Sequence, residues 1–454
     1  MRHSNILFIM ADQMRLDSLS ALGLHEEAKT PCLDTIAKRG ILYDHVATTC
    51  PICAPARASM LLGLYPSQIG VLDNSPHFVD SAAPNWIKTL RRARYQTSVF
   101  GKTHYYPYNG SVSDMRQMKD YLNTLGFTNS MEVPGSRVAW RIKSEMWQAW
   151  KDAGCLEAFT QDLKTRYGAS QAIARPTPLP FDLYPDVFVP EKAMEYLKRY
   201  HSDSPFFCMV SFPGPHDPWD CPETWAKQME GKPTTPPLPK EIDRNPSRPK
   251  GLWDENPGYN PVSKEEAIAI RRNYVAHVAL IDHEIGKLLD TLKTIGHADD
   301  TLICFVSDHG EMNGDYERIY KQNFHKAAMN IPFLIAGPGI PNGIQDHRLG
   351  ELLDIGPTVL ASVGLGPDYQ QEGISLLSEE RIIQYAEYKN EVMVTDGKWK
   401  LSQNGRGEPY QLFNLIHDPD ELVNLAHCGL AAETYYKEVL DGKRKETKHC
   451  SACN

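Results

Sequence analysis

Four short apolar runs, each closing on residues with acid, base or metal-binding chemistry, constrain this chain more than any other feature. Residues 5–10 lead to Asp12 and Gln13, residues 97–100 to Gly101, Lys102 and His104, residues 205–212 to His216, and residues 301–306 to Asp308 and His309. Continuous apolar runs of this length fit strands buried on both faces. Open α/β sheets gather their ligands outside the carboxyl ends of such strands. Four chemically equipped strand ends therefore predict one site at one edge of a central sheet. Helical patterns at residues 30–39, 86–93, 191–200 and 354–364, and a long amphipathic stretch at 264–295, alternate with the strands; 331–336 reads as a further strand.

From about residue 366 the texture changes. Short alternating runs at 382–387, 391–395, 399–402 and 411–414 predict a small antiparallel sheet. The expected division is a catalytic α/β domain over 1–365 and a small α+β unit over 366–454 ending in a charged, frayed tail. Residues 105–180 and the Pro-rich stretch 213–262 read as long surface excursions, where specificity is expected to reside. Tyr105, Tyr106 and Tyr108 fit a pocket lining and packing under a loop equally well.

A formal net charge of -9 without a basic block argues against nucleic acid as a partner. The 10 cysteines are scattered through 454 residues, unlike a disulfide scaffold. The N-terminal apolar run is too short for a secretory signal, and none reaches the roughly 20 residues that span a bilayer. A cytoplasmic protein with no membrane partner is the expectation, with a homo-oligomer left open.

The segment from Cys50 to Arg57 carries two patterns. Cys50 and Cys53 form a Cys-x-x-Cys pair, as in thiol–disulfide exchange. Cys53, Pro55 and Arg57 form Cys-x-Pro-x-Arg, which resembles the core signature of the formylglycine-dependent sulfatases of the alkaline-phosphatase-like superfamily. The resemblance extends along the chain in order: the early strand ending at Asp12 and Gln13, Gly101-Lys102-Thr103-His104, His216-Asp217-Pro218, Ser307-Asp308-His309-Gly310 and a lysine at 321. Ala56, Gln13 and Thr103 depart from the commonest pattern. Gln13 and the Asp73-Asn74 pair are closer in style to choline-sulfatase and phosphonate-monoesterase relatives.

The resemblance implies an alkaline-phosphatase-like α/β fold and hydrolysis of a sulfate ester on a small molecule or carbohydrate. It implies that a maturation enzyme oxidises Cys53 to formylglycine, whose hydrate supplies the nucleophile. It implies one divalent cation held by Asp12, Gln13, residue 53, Asp308 and His309. Hard oxygen ligands favour Ca²⁺, with Mg²⁺ and Mn²⁺ also compatible. Arg57 would steady the nucleophile, Lys102 and Lys321 would balance sulfate charge, and His216 with Lys321 would protonate the leaving oxygen. His104 would take the proton whose removal expels sulfate, and Asn74 would contact substrate. Lys326 competes with Lys321 for the active-site role; the reading favours Lys321.

Singly, each residue has an ordinary explanation: Asp12 as a helix cap, His309 as a turn residue, and Lys102 or Lys321 as surface lysines. His277 and His283 are explained by helix packing alone. The rival functions are a phosphonate monoester hydrolase or phosphodiesterase of the same superfamily, a thiol oxidoreductase using Cys50 and Cys53, and a binding protein whose Cys53 is never oxidised.

Overall fold

The computed structural model describes residues 4–450 apart from 75–76, 109–111, 171 and 256–261. Its first ten strands, in chain order, are β1 (Asn5–Asp12), β2 (Gly40–Ala47), β3 (Gln96–Gly101), β4 (Asn129–Glu132), β5 (Phe206–Pro215), β6 (Ile242–Asp243), β7 (Thr301–Ser307), β8 (Asn330–Ala336), β9 (Ile344–Asp346) and β10 (Gly350–Glu351). A nine-stranded sheet runs β10-β2-β8-β7-β1-β5-β3-β4, with β9 also paired to β2. β4, β3, β5, β1 and β7 are mutually parallel, whereas β8 runs antiparallel to β7 and β2. The sheet is thus mixed and mostly parallel, as expected.

β1 sits near the middle because its sequence is apolar on both faces. Leu7, Ile9 and Ala11 enter one core, and Ile6, Phe8 and Met10 enter the core on the opposite face. All six are fully buried, and each large side chain contributes about 1.5–3 kcal/mol by leaving water. Phe8 meets Trp86 and Phe207 at ring-centroid distances of 5.5 and 6.1 Å, tying the sheet to the helix Trp86–Arg92.

A second sheet of four antiparallel strands comprises β11 (Gln384–Tyr388), β12 (Glu391–Thr395), β13 (Trp399–Gln403) and β14 (Pro409–Asn414). A final short strand, β15 (Val423–Asn424), pairs with β6.

Several local readings need correction. Residues 105–180, read as insertion loops with some helix, do contain the helices Glu145–Asp152 and Leu156–Ala169, but also an unexpected strand, β4, at the sheet edge. The helix expected at 191–200 begins earlier and spans Pro185–Lys198, passing through Pro190. Pro185 occupies its first turn, where the missing N–H is no loss, and burial of Val187, Val189, Ala193 and Leu197 sustains it past Pro190. The helix Lys264–Thr294 is continuous, and Ser263 opens it with a reciprocal capping box to Glu266. Residues 441–450 of the expected frayed tail are part of the helix Ala431–Cys450, anchored by buried Tyr436, Leu440 and Thr447. The side chains of His449 and Cys450, and residue 453, lie outside the described residues. Among the described residues, no helix is long and apolar enough to cross a membrane.

Candidate active site

The carboxyl ends of β1, β3, β5 and β7 converge as anticipated, and the helix Cys53–Leu62 points its first residue at the same place. The approach of β3 to β5 depends on Gly101. It has φ 105°, and a Cβ there would meet the Ser211 carbonyl oxygen at 1.9 Å. This close approach lets Lys102 N donate to Ser211 O at 3.0 Å, delivering the Lys102 side chain to the end of β1.

Cys53 is fully enclosed. Its Sγ lies 3.1 Å from His309 Nε2, 3.5 Å from Lys102 Nζ and 3.7 Å from Asp12 Oδ1. Single ligand atoms of Asp12, Cys53, Asp308 and His309 all lie within 4.8 Å of one another. Burial alone would raise the Cys53 thiol, but Lys102, Lys321 and His309 outweigh it and hold it well below the ordinary thiol range. Cys50 behaves oppositely. Burial, Glu387 and Asp73 push its thiol well above the ordinary range, and both cysteines are free. That asymmetry disfavours a thiol-exchange pair.

Arg57 occupies the floor. Its guanidinium donates to Asp308 Oδ2 at 2.7 Å, to the Lys102 carbonyl at 2.5 Å and to Ser211 Oγ at 3.0 Å, while Nη2 stands 3.4 Å from Asp12 Oδ2 without a good hydrogen bond. Asp308 Oδ1 accepts from Gln13 N at 2.9 Å and His309 N at 3.0 Å. His309 Nδ1 faces the Gly310 carbonyl at 2.9 Å, a contact that a proton on Nδ1 satisfies and that leaves Nε2 as the ring atom turned toward the cluster. Lys102 Nζ donates to Asp12. Burial and Cys53 push Asp12 up, but Lys102, His216 and Arg57 win, leaving its pKa below the ordinary value.

A second layer rings this cluster. Gln13 adopts φ 71° at the end of β1; its side-chain Oε1 accepts from Lys321, and its side-chain Nε2 donates to Glu311. His216 Nδ1 faces the Asp217 carbonyl at 2.7 Å, so Nε2 accepts from Lys321 Nζ at 2.8 Å. His104 stacks on Tyr108 at 4.3 Å between centroids, and its buried Nδ1 has no hydrogen-bond partner. Burial, with Lys102 adding to it, pushes His104 down to about 4 against the opposing pull of Cys53.

The geometry separates the two lysines. Lys321 is buried at the cluster, whereas Lys326 pairs with Asp420 and is partly exposed. Asn74 lines the cavity, but its carboxamide oxygen accepts from Ala54 N at 2.9 Å and caps the Cys53 helix. His277 bonds Asp186 at 2.8 Å, and His283 packs on Trp225; neither belongs to the site.

Glu311 and Ser211 escaped the motif reading as site residues. Glu311 follows Asp308 by three positions and also accepts from the Asn313 and Tyr320 amides. The tyrosine run serves both purposes weighed for it: Tyr105 and Tyr106 are core, and Tyr108 lines the cavity. That cavity, of about 250 Å³, opens over Cys53, Lys102, His104, His216 and Lys321. A larger one of about 440 Å³ beside Trp225 and Met229 holds none of the motif residues.

The sequence model of the family described as Sulfatase matches residues 4–365. The chain belongs to the sulfatase family. This sulfatase is 30% identical over 446 residues to a choline-sulfatase of Rhizobium meliloti (strain 1021), an alignment covering 93% of the chain and 82% of that protein. It is 28% identical over 462 residues to an arylsulfatase of Clostridium perfringens (strain 13 / Type A), covering 97% and 93%. The phosphonate monoester hydrolase of Agrobacterium radiobacter superposes with a TM-score of 0.74 at 26% identity, covering 99% of this sulfatase and 95% of that chain. The chain is accordingly a sulfuric ester hydrolase with the alkaline-phosphatase-like architecture.

Proposed function

We propose that Cys53 is converted to formylglycine and that this residue, beside one divalent cation, carries the hydrolysis of a sulfate ester. The observation that carries the reading is the placement of Cys53 at a helix start, enclosed by Asp12, Lys102 and His309. The donor set fits a divalent ion. Two carboxylates (Asp12 and Asp308) and an imidazole nitrogen of His309 are gathered with residue 53, and the Gln13 amide oxygen lies on the adjoining turn. Oxygen-rich ligation favours Ca²⁺ over softer ions, with Mg²⁺ and Mn²⁺ compatible. When bound, the ion would polarise sulfuryl oxygens and stabilise a deprotonated nucleophile.

The chain's own groups divide the remaining work. Arg57 holds Asp308 and the floor of the site in place. Lys102 and Lys321 present ammonium charge to the sulfate. His216, bonded through Nε2 to Lys321, forms with it the proton source for the leaving oxygen. His104, buried and stacked on Tyr108, has an unpartnered ring nitrogen with which to move the proton that releases sulfate.

Replacing Cys53 by Ser removes the second hydroxyl that release requires, so Cys53→Ser is expected to lose multiple turnover. Intact mass of protein co-expressed with a maturation enzyme is expected to show one sulfur and two hydrogens exchanged for one oxygen. Chelation is expected to abolish activity, and Ca²⁺, Mg²⁺ or Mn²⁺ to restore it. Undiminished turnover by Cys53→Ser would overturn the aldehyde role.

The likeness to a phosphonate monoester hydrolase favours a second activity on phosphonate monoesters or phosphodiesters. Parallel turnover of an aryl sulfate and an aryl phosphonate ester measures it.

A further inference from the structure

The cavity over Cys53 is closed on one side by a segment absent from the motif set. Residues 134–141 make successive turns, with Val138 N bonded to Gly135 O at 3.0 Å and Arg141 N to Val138 O at 3.1 Å. Ala139 and Ile142 are buried and pin the segment to the core. Arg137 and Arg141, four positions apart, both line the cavity.

Arg137 is held as a fixed wall. Its guanidinium lies 4.7 Å from the Tyr167 ring centroid and 5.1 Å from that of Tyr320, and its Nε is 3.2 Å from Asp217 Oδ2. Tyr167 OH donates to the same carboxylate oxygen at 2.8 Å. Arg141 is exposed and makes no ion pair with any described residue. Lys102 and Lys321 lie deeper in the same cavity, and no carboxylate is found among the described residues that line it.

Lys102 and Arg137 are already balanced by Asp12 and Asp217, whereas Lys321 and Arg141 have no ion-pair partner among the described residues. Lys102 and Lys321 stand at the reacting end beside Cys53, and the two guanidiniums line the remaining wall, where the alcohol part of the substrate would lie. Arginine presents a planar donor fork that matches a carboxylate or a sulfate with two parallel hydrogen bonds. A quaternary ammonium would meet the unpaired like charge of Arg141 there.

We propose that Arg137 and Arg141 form a second anion subsite, selecting sulfate esters whose alcohol part carries its own oxyanion, such as an acidic sulfated saccharide. This rests on Cys53 being the reacting centre, and it argues against choline sulfate as the substrate despite the choline-sulfatase relative.

The test uses matched phenyl sulfates with a meta substituent insulated by a methylene: carboxylate, second sulfate ester, neutral amide and trimethylammonium. The wild-type kcat/KM is expected to favour either dianion over the amide by on the order of 10-fold or more, with the ammonium compound poorest. Carboxylate and second sulfate as separate arms identify which oxyanion fits. In Arg141→Ala the ratio of dianion to amide is expected to fall toward one, with Arg141→Lys retaining part of it. A wild-type ratio of one, or a ratio unchanged in Arg141→Ala while both rates fall together, would overturn the subsite. Calorimetric binding of the same compounds to Cys53→Ala separates the two proposals. Equal affinities for dianion and amide sink the subsite even where hydrolysis proceeds. Tighter dianion binding without hydrolysis of any aryl sulfate by wild type sinks the formylglycine reading and leaves the subsite standing.

Discussion

Two lysines five positions apart could be confused from sequence, and their surroundings give opposite expectations. Lys321 Nζ is buried between Gln13 and His216, so removing it strips charge and a proton donor from the cluster. Lys321→Ala is expected to lower kcat/KM by about 100-fold or more. Lys326 reaches the half-exposed carboxylate of Asp420, an ion pair of the kind that contributes at most about 1 kcal/mol. Lys326→Ala is therefore expected to stay within roughly twofold of wild type at equal folded content. Assaying both variants on one aryl sulfate decides the assignment; equal losses would show that it is wrong. Asn74, which lines the cavity, also makes a structural contact. Its side chain accepts from Ala54 N at 2.9 Å, the second residue of the Cys53 helix, and replacing such a cap costs about 1 kcal/mol. Asn74→Ala is expected to lower the unfolding free energy by that amount, seen as a lower denaturant midpoint at unchanged slope, and an unmoved midpoint would refute the cap.

Between elements, the loop after β14 meets the segment after Lys321 through a buried charge cluster. Glu421 accepts from Lys400 Nζ and from Lys326 N at 2.9 Å, with His325 Nδ1 at 3.3 Å. Burial would raise Glu421, but Lys400 and His325 overcome it and hold it at about 2, from an ordinary 4.5. A depressed carboxylate stabilises the fold fully above its unfolded pKa and loses that contribution as pH falls through the folded value. The window here runs from pH 4.5 down to about 2, and the contribution above it is on the order of 3 kcal/mol. The unfolding free energy of wild type minus that of Glu421→Gln, measured across this range, is expected to shrink toward low pH; a constant difference would contradict it.

The same scale shows what a linear reading can reach. β1, β5 and β7 were legible because burial on both faces leaves an uninterrupted apolar run, and their ends carried the site motifs. β4 was not, since its Asn129-Ser130-Met131-Glu132 at the sheet edge has no such run. The cap role of Asn74, the Glu311 contact to Gln13 and the Tyr108 stack under His104 were also invisible. The first two join residues 20 and 298 positions apart, and the third depends on a left-handed turn at His104, φ 59°. Local pattern reports what a residue type can do; only the fold reports what it touches.

Across the whole molecule, the change of sequence texture near residue 366 suggests a separable unit, but the packing argues for a single cooperative structure. One hydrophobic cluster combines Tyr65 and Leu353 with Tyr385, Val394, Leu401 and Leu412 of the small sheet and Leu440 of the last helix. Buried Glu351 accepts from Tyr65 OH and Tyr385 N, both at 2.7 Å. Glu387 N donates to Thr49 O at 2.9 Å, only a few residues ahead of Cys53. A fragment ending at residue 365 would expose that cluster and deprive Glu351 of two partners, the Tyr385 amide and the Arg381 guanidinium, while losing the strand that braces the approach to the nucleophile. It is expected to aggregate or to lack fixed tertiary structure, whereas the whole chain should unfold in one transition, with tryptophan fluorescence and far-ultraviolet circular dichroism coinciding. Two resolved transitions, or a soluble 1–365 fragment with native near-ultraviolet dichroism, would instead establish the carboxyl-terminal sheet as an independent unit.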